Sequence, residues 1–362
     1  MQKWNKISFT ELISDRTKDG IKLPTNEYNQ SGLTAIIDQG QEFIAGYSDE
    51  TEGAFIDVPA IIFGDHTRVF KYVDFPFFLG ADGVKVLKAN QEINYKYLYY
   101  YFLQAKFPNT GYARHFKWLK ELQIPLPPLE TQKNIAAVLD KCTALIAKHK
   151  LMLEKYDTLI KSRFIEMFGD PVQNSKGYKY KKLEELGKWE SGGTPSRKNN
   201  DYFKGSIPWY SAGELNSLYL YDSNEKITET AIEESSAKLF RKGSLFVGMY
   251  DTAAFKMGIA TTDCSSNQAC ANIFPNRDVN VIWLYYELME MKEFFLQNRR
   301  GVRQKNLNLG MIKGFEIPYA PSNLQNDFAA FVQQIDKSKF AVQKSLEKAE
   351  TLYKSLMQEY FG

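Results

Sequence analysis

Cysteine is scarce in this sequence of 362 residues. Cys142, Cys264 and Cys270 are the only cysteines, and no pair has the Cys-x-x-Cys spacing. The sequence therefore suggests neither a disulfide framework nor a zinc ribbon. Three isolated thiols fit a reducing compartment, so we expect a cytoplasmic protein.

Long apolar runs are also missing. No stretch approaches the roughly 20 apolar residues that a membrane helix needs. The first ten residues contain Trp4, Asn5 and Lys6 and no apolar core. We therefore expect neither a signal peptide nor a membrane span.

An excess of one charge is the third feature that the sequence lacks. It has 46 Lys and Arg against 43 Asp and Glu, a formal net charge of +3. This balance neither favours nor excludes nucleic acid, because a DNA-binding protein can concentrate its basic residues on one face. The length suits two or three domains, and a hydrophobic content of 44% is sufficient for their cores. Most of the aromatic residues, 14% of the chain, are expected in those cores.

Signatures of catalysis are absent as well. The sequence contains no Gly-x-x-x-x-Gly-Lys-Ser/Thr phosphate loop, no Gly-x-Gly-x-x-Gly loop after a strand and no Asp/Asn-Pro-Pro-Tyr segment. Asp65, Asp82 and Lys85 only loosely resemble the clustered carboxylates and lysine of a nuclease. The histidines are scattered, at His66, His115 and His149. We expect no catalytic residues and no metal site in this chain.

The chain contains an internal repeat. The segment that begins with Ile124-Pro125 recurs 193 residues later at Ile317-Pro318. The same separation relates Gln132 to Gln325, Ala136-Ala137 to Ala329-Ala330, and Phe168-Gly169 to Phe361-Gly362. A less regular match upstream pairs Gly64 with Gly248 and Tyr97–Tyr100 with Trp283–Tyr286. We conclude that the chain is a tandem duplication, each half a variable globular part followed by a constant tail.

Each tail is predicted to be one long helix. After Pro128 the first tail runs to Phe168 without Pro or Gly, and Gly169-Asp170-Pro171 ends it. Apolar residues recur with a seven-residue period, so we predict that the helices over 131–168 and 324–361 pack antiparallel along an apolar seam. Lysines on the opposite faces are expected either to be solvated or to meet other subunits or DNA. The predicted seam comprises Ile135, Val138, Leu139, Cys142, Leu145, Ile146, Met152, Leu153, Tyr156, Leu159 and Ile160, and in the second tail Phe328, Phe331, Val332, Ile335, Val342, Leu346, Ala349, Leu352, Tyr353 and Leu356.

The globular parts are predicted to contain mixed α and β structure. Short β-rich runs such as 60–64 and 244–248 alternate with turns, and a Tyr- and Leu-rich helix follows in each half, at 95–106 and 281–299. The predicted class is α+β, with two mixed α/β domains in tandem and pseudo-two-fold symmetry. The predicted boundaries are 1–128 for the first domain, 129–169 for its helix, 170–320 for the second domain and 321–362 for its helix.

Several of these motifs resemble the specificity subunits of type I restriction–modification systems. Ile124-Pro125-Leu126-Pro127-Pro128-Leu129-Glu130 before Gln132, at the start of a long helix, is similar to the helix start in that family. Gly193-Thr194-Pro195-Ser196 followed by Ile207-Pro208-Trp209 is similar to another family segment, and 63–68 with 80–83 resembles one variety of target-recognition domain. The first half lacks the Gly-x-Thr-Pro and Ile-Pro-Trp segments, and the second has Ile-Pro-Tyr-Ala-Pro-Ser at its helix start. The halves have thus diverged and are expected to read different DNA sequences.

The resemblance implies a non-catalytic subunit that recognises DNA. Each globular domain would read one part of a bipartite target in double-stranded DNA, and the helices would set the gap between the parts. Methyltransferase subunits and motor–nuclease subunits would be its partners. S-adenosylmethionine, ATP and Mg²⁺ would belong to those partners, so no cofactor is expected in this chain.

Polar and basic residues of both halves are candidates for contacts with DNA, and those of the second half lie in predicted loops. Phosphates are bound by Lys, Arg and small polar groups, and base edges are read by Arg, Asn, Gln and Asp. The alternative for each is an ordinary solvated loop or turn. The first half contributes His66, Arg68, Lys71, Asp82, Lys85, Arg114, His115 and Lys117; the second contributes Arg197, Lys198, Tyr250, Lys256, Asn267, Gln268, Arg303, Gln304, Lys305 and Asn306.

Two other functions remain open at this point. The chain could be a stand-alone enzyme that modifies or cleaves DNA, although it lacks the expected cofactor loops. It could also be a structural adaptor whose helices recruit proteins. Activity of the purified chain without partners would favour the first, and neighbouring genes for a methyltransferase and a motor–nuclease would disfavour both.

Overall fold

The computed structural model describes residues 4–108, 113–297 and 306–362. The chain folds as two units. Unit 1 comprises Met1–Leu151 with Val342–Gly362, and unit 2 comprises Met152–Ala341. Each long helix therefore contributes one segment to each unit. The four-part division of the sequence stays a prediction.

Unit 1 contains three sheets and its share of the long helices. A four-stranded sheet has the order β2-β8-β5-β6 and a three-stranded sheet has the order β4-β3-β7, while β1 pairs with β9. Only β3 and β7 are parallel among these pairs. The elements are β1 (Lys6–Ser8), α1 (Phe9–Leu12), β2 (Ile13–Asp15), β3 (Thr34–Ile37), β4 (Gly46–Ser48), β5 (Ala60–Gly64), β6 (Phe70–Val73), β7 (Phe77–Leu79), β8 (Val84–Ala89), α2 (Tyr95–Leu103), α3 (Phe116–Leu119), β9 (Gln123–Pro125) and α4 (Leu129–Phe168).

Strand β5 shows why this part of the chain folds as a sheet. Its residues are apolar on both faces and fully buried, because it lies between β6 and β8. Ile61 and Phe63 pack in one core together with Leu98 and Phe102 of α2. The β-rich run predicted at 60–64 is therefore a central strand, covered on one face by the Tyr- and Leu-rich helix.

Unit 2 has a five-stranded sheet of order β11-β18-β15-β16-β13 and a three-stranded sheet of order β14-β12-β17. The antiparallel pair formed by its first and last strands, β10 and β19, matches the pair of β1 and β9 in unit 1. The elements are β10 (Tyr180–Lys182), β11 (Gly187–Ser191), β12 (Ile207–Tyr210), β13 (Tyr219–Leu220), β14 (Glu225–Ile227), α5 (Glu229–Glu234), β15 (Leu245–Gly248), β16 (Met257–Ala260), β17 (Ser265–Ser266), β18 (Cys270–Pro275), α6 (Val281–Glu290), α7 (Lys292–Gln297), α8 (Leu309–Lys313), β19 (Glu316–Pro318) and α9 (Ser322–Phe361).

The repeated glutamine makes the same contacts in both units. Gln132 accepts a hydrogen bond from Asn94 N at 2.9 Å and donates one to Pro127 O at 2.8 Å. Gln325 accepts from Asn280 N at 2.8 Å and donates to Ala320 O at 2.7 Å. Both glutamines are buried, so each satisfies backbone groups that water cannot reach. The repeat seen in the sequence is therefore a repeated structural element that joins α2 or α6 to the start of a long helix.

The long helices pack together, as the sequence predicts. In unit 1, Leu139 of α4 lies in one apolar cluster with Met357 of α9, and Lys150 pairs with Glu350 at 3.4 Å. In unit 2, the ring of Phe164 lies 5.4 Å from that of Phe328. As residue numbers rise along α4, the numbers of the partners on α9 fall, so the helices are antiparallel. Each has 40 residues, or about 60 Å at 1.5 Å per residue.

The apolar seam is narrower than the sequence predicts. Ile135, Leu139 and Ile160 are buried, but Leu145 is 44% exposed. Other exposed members of the predicted seam are Val138, Leu159 and Leu352. The prediction was wrong for these four residues, because a helix that touches one neighbour buries a strip along its axis and leaves the flanks of that strip in water.

Alanine substitutions in α4 are expected to distinguish the buried residues of the predicted seam from the exposed ones. Leu139→Ala should lower the free energy of unfolding by about 2–4 kcal/mol, since it leaves a cavity in a buried apolar cluster. Leu145→Ala, with the same chemical change on the same helix, should cost less than about 1 kcal/mol, because its side chain is half in water. Urea unfolding of both variants measures the difference. Equal losses would contradict the packing described here.

No helix within the described ranges combines the length and the apolar character needed to cross a membrane. Nor do three or more His, Cys, Asp or Glu side chains within those ranges form a group that could hold a metal ion.

Candidate nucleic-acid interface

Three loops of unit 1 meet at Asp65, immediately after β5. Asp65 N donates to Gly83 O at 2.7 Å, and Asp65 O accepts from His115 N at 2.9 Å. These bonds join the β5–β6 hairpin, the loop before β8 and the loop before α3. We call this arrangement the Asp65 junction.

Unit 2 contains the same arrangement at Met249, immediately after β15. Met249 N donates to Ala269 O at 2.9 Å, and Met249 O accepts from Leu307 N at 2.8 Å. The three loops are again a hairpin, here β15–β16, the loop before the returning strand β18 and the loop before a short helix, α8. We call this the Met249 junction. The sequence match of Gly64 with Gly248 thus extends to the backbone hydrogen bonds of the next residue.

Most of the candidate residues of the first half lie around the Asp65 junction. His66 and Arg68 are in the hairpin, Asp82 precedes β8, and Arg114 and Lys117 flank the start of α3. Arg68 has a φ of 63°, a left-handed conformation that is uncommon outside glycine. Side chains of Arg68, Asp82, Arg114 and Lys117 are exposed. Four candidates scattered over 50 residues are thereby displayed at one junction.

Lys71 and His115 are exceptions, since both are buried. Lys71 is 4% exposed, and its Nζ donates to Asp38 O at 2.9 Å and to Glu42 O at 2.5 Å. Burial lowers the pKa of Lys71, which the nearby carboxylate of Asp38 partly offsets. His115 is 1% exposed, and its Nδ1 lies 3.0 Å from Asp65 O. We assign these two side chains to the support of the loops and leave them out of the proposed interface.

Lysines next to the junction are held over aromatic rings. The Nζ atoms of Lys85 and Lys120 lie 5.0 and 5.3 Å from the centre of the Phe116 ring. Lys117 Nζ lies 4.8 Å from the ring of Trp118. Lys85 also forms an ion pair with Asp15 at 2.8 Å. Burial would raise the pKa of Asp15, but hydrogen bonds from Lys85 and Thr17 lower it overall, so a carboxylate already accompanies the ammonium group of Lys85. Lys117 and Lys120 are the exposed cations of this group.

Sequence reasoning missed Gln39, which links two of the loops. Its Nε2 donates to Asp82 O at 2.8 Å, and its Oε1 accepts from His66 N at 3.2 Å. Thr67 Oγ1 donates to Gln39 O at 2.5 Å. The available signal was the polar segment Asp38-Gln39-Gly40-Gln41 directly after the buried strand β3.

Candidates of the second half gather at the Met249 junction. Tyr250 is 39% exposed in the hairpin, and Gln268 is exposed before β18. Asn267 shapes that loop, because its N donates to Tyr210 O and its Oδ1 accepts from Ala269 N. Lys256 ends the hairpin loop, where its carbonyl accepts from Gly248 N at 2.8 Å. Asn306 adjoins Leu307, whereas Arg303, Gln304 and Lys305 lie outside the described residues.

A fourth loop, over residues 192–198, joins this group in unit 2. Thr194 Oγ1 donates to Gln268 Oε1 at 2.5 Å. A Cβ atom on Gly193 would lie 2.0 Å from Ser236 O, so only glycine allows this close approach. The loop continues into Arg197 and Lys198, both exposed.

The side chain of Arg197 is fixed by an ion pair and by an aromatic ring. It forms two hydrogen bonds to Glu225, at 2.5 and 2.7 Å, and its guanidinium lies 4.2 Å from the ring centre of Phe203. The hydrogen bonds to Glu225 raise the pKa of Arg197, and the same contact lowers the pKa of Glu225. Lys198 is also exposed, and it forms no ion pair with any described residue, which makes it the more available of the two cations.

Comparison with known proteins agrees with this architecture. The family described as the type I restriction modification DNA specificity domain matches residues 1–155 and 175–350. The specificity subunit of the type I restriction enzyme EcoR124I/EcoR124II from Escherichia coli is 25% identical over 99% of this chain and 92% of its own length. The MjaIX specificity subunit from Methanocaldococcus jannaschii is 29% identical over 51% of this chain and 44% of its own.

Solved structures show the same fold. The S subunit of a type I restriction–modification system from M. genitalium superposes with a TM-score of 0.69 at 16% identity, covering 99% of this chain and 96% of that one. A chain from a study of complex assembly and conformational transition of the type I R-M system gives a TM-score of 0.56, also at 16% identity, over 100% and 98%. With two matched domains that together span most of its length, the chain belongs to the family of type I restriction–modification DNA specificity proteins.

Proposed function

We propose that this chain is the non-catalytic DNA-reading subunit of a type I restriction–modification complex. Each unit reads one part of a bipartite target in double-stranded DNA. The observation that carries the proposal is the matching three-loop junction in each unit, with exposed polar and basic side chains on loops that a rigid sheet holds in place. Base edges would be read from these loops, and nearby lysines would bind phosphate.

The partners follow from the same proposal. Methyltransferase subunits and motor–nuclease subunits would assemble with this chain, in the cytoplasm, where its DNA substrate is found. S-adenosylmethionine, ATP and Mg²⁺ would be bound by those subunits and not by this chain. The antiparallel helices α4 and α9 would fix the distance between the two parts of the target.

The contacts proposed in unit 1 are His66, Arg68, Asp82, Lys85, Arg114 and Lys117, and those in unit 2 are Arg197, Lys198, Tyr250, Lys256, Asn267, Gln268, Arg303, Gln304, Lys305 and Asn306. Exposure supports this assignment for eight of the described members: Arg68, Asp82, Arg114, Lys117, Arg197, Lys198, Tyr250 and Gln268. Asn267 and Arg197 also shape their own loops. We add Lys120, because it is exposed and directly follows α3, the helix that contains Lys117.

DNA binding by the isolated chain is expected to depend strongly on salt and only modestly on sequence. Without partner subunits around the duplex, phosphate contacts dominate, and each phosphate neutralised contributes about 0.9 to the slope of log affinity against log salt. The double variant Lys117→Glu, Lys120→Glu should therefore bind duplex DNA more weakly and lower the magnitude of that slope by about 2. Fluorescence anisotropy between roughly 50 and 200 mM salt measures both.

The control is Lys148→Glu, which reverses the charge of an exposed lysine on α4, outside the three loops of the Asp65 junction. It should bind as the unmodified chain does. An affinity that does not change with salt would contradict an electrostatic DNA surface. Equal weakening by Lys148→Glu and by the loop variant would contradict its location at the Asp65 junction.

A further inference from the structure

We propose that Gln39 is a positioning residue for the first part of the DNA target. It would act through the loops that it holds, without touching a base itself. The inference rests on the proposed function, since it assigns a role within the surface that reads DNA. No motif in the sequence identifies this residue.

The geometry shows what Gln39 controls. Its side-chain amide spans two loops, donating to Asp82 O at 2.8 Å and accepting from His66 N at 3.2 Å. An amide carries one donor group and one acceptor, and both are used here. The main chain of Gln39 adds a third link, as the acceptor for Thr67 Oγ1 at 2.5 Å. The hairpin with His66 and Arg68 and the loop with Asp82 are therefore fixed to a common residue.

The neighbouring glycines are fitted to this side chain. A Cβ on Gly83 would lie 2.6 Å from Gln39 Nε2, and one on Gly64 would lie 2.9 Å from Gln39 Cβ. Gly83 also has a φ of +93°, which few other residues adopt. Gly64 and Gly83, one in each of the two linked loops, thus leave space for the Gln39 side chain. A larger residue at either position would clash with it.

Unit 2 has no such amide at the matching position. Gly80 N donates to Ile37 O at 2.8 Å, and Asn267 N donates to Tyr210 O at 2.9 Å, so Ile37 and Tyr210 correspond. Gln39 lies two residues after Ile37, beside Gly64 at the end of β5. Ala212 lies two residues after Tyr210, beside Gly248 at the end of β15. The link is therefore particular to unit 1, and its loss is predicted to affect only the part of the target that unit 1 reads.

The variant Gln39→Met keeps the length of the side chain and removes its hydrogen bonds. The chain is expressed together with its own methyltransferase partners, and the methylated motif is read by long-read sequencing. We expect discrimination at one or more bases of one part to fall about tenfold, as for a lost base contact. The other part and the spacing should remain as they were. Thr67→Val, a substitution of similar shape, should reduce base discrimination in the same part of the target by a smaller factor. It serves as a second variant if Gln39→Met folds poorly.

Asn90→Ala is the matched control. Asn90 also donates to a backbone carbonyl, Glu11 O, at 2.8 Å. It follows the far end of β8, a strand of 6 residues that is about 20 Å long, whereas Asp82 precedes the near end. It should lower the unfolding temperature as much as Gln39→Met does and leave the motif intact. An unchanged motif in both loop variants would overturn the role of Gln39, and so would equal relaxation in Asn90→Ala. If the unmodified chain directs no bipartite methylation, the proposed function itself fails, and this inference with it.

Discussion

Replacing Glu287 by glutamine is expected to raise the free energy of unfolding by about 3–4 kcal/mol between pH 7 and 8, and to have little effect at pH 4.5. Glu287 lies on α6 in unit 2 and is 2% exposed. Among the described residues its Oε1 has no hydrogen-bond partner. Burial raises the pKa of Glu287 to about 8, and the charge of Glu290 adds to the effect.

The direction of the pH dependence follows from that shift. In the unfolded chain this carboxyl loses its proton near its ordinary pKa of 4.5, whereas in the folded chain it keeps the proton up to about pH 8. Folding therefore takes up a proton between these two values, and stability falls by up to about 1.4 kcal/mol for each pH unit in that window. The full stability is present below the unfolded value and is lost as the pH rises to the folded one. Glutamine cannot ionise and removes this dependence.

Glu293→Gln is the control for this prediction. Glu293 is exposed on α7, so the same chemical change there should alter stability by no more than about 0.5 kcal/mol at any pH. Urea unfolding of the full chain at pH 5, 6, 7 and 8 gives the comparison. A Glu287→Gln variant whose stability parallels that of the unmodified chain at all four values would show that the carboxyl is already ionised in the folded protein.

Much of the fold was predictable because the duplication repeats short-range signals. Proline before each tail, glycine after the first, and an unbroken apolar period set the bounds of α4 and α9 to within two residues of the structure. The equivalence of Gln132 and Gln325 was also visible as a constant separation. Their shared role was not, because the partners Asn94 and Asn280 lie 38 and 45 residues away and only the folded chain brings them together.

The exposed residues of the predicted seam show what sequence periodicity cannot predict. Leu145 and Leu139 both fit the heptad, yet only Leu139 is buried. Periodicity identifies a face of the helix, but the width of the contact depends on the neighbouring helix. The same holds for the Tyr- and Leu-rich segment over 281–299, predicted as one helix, which is divided at Met291 into α6 and α7.

The candidate interface was predictable as a set of loops and less so as individual residues. Polar residues near Gly64 and Gly248 were selected correctly as loop residues, since a turn must follow a fully apolar strand. Lys71 looked equally accessible in the sequence, but it follows Phe70 on strand β6, and its buried ammonium group donates to two backbone carbonyls. Gln39 was overlooked for the opposite reason, because its role depends on two loops that begin 25 and 41 residues later in the chain.

The central claim is that each unit specifies one part of the target on its own. Residues 181–310 contain the fourth loop and the Met249 junction, so replacing them with the corresponding segment of a relative that reads another target should exchange one part of the motif completely. Contacts in separate modules contribute almost additively when they share no partner. A narrower change in the same segment, Arg303 and Gln304 to alanine, should relax that part by about 1–3 kcal/mol for each lost base-edge pair. Spacing should respond instead to insertions in α4 and α9, at about 5.4 Å for each helical turn.

The most direct measurement is the methylated motif of the assembled complex that carries the exchanged segment 181–310, read by long-read sequencing of the host DNA. We predict one new part, one original part and an unchanged gap between them. A motif in which both parts change, or in which neither changes, would contradict two independent reading units.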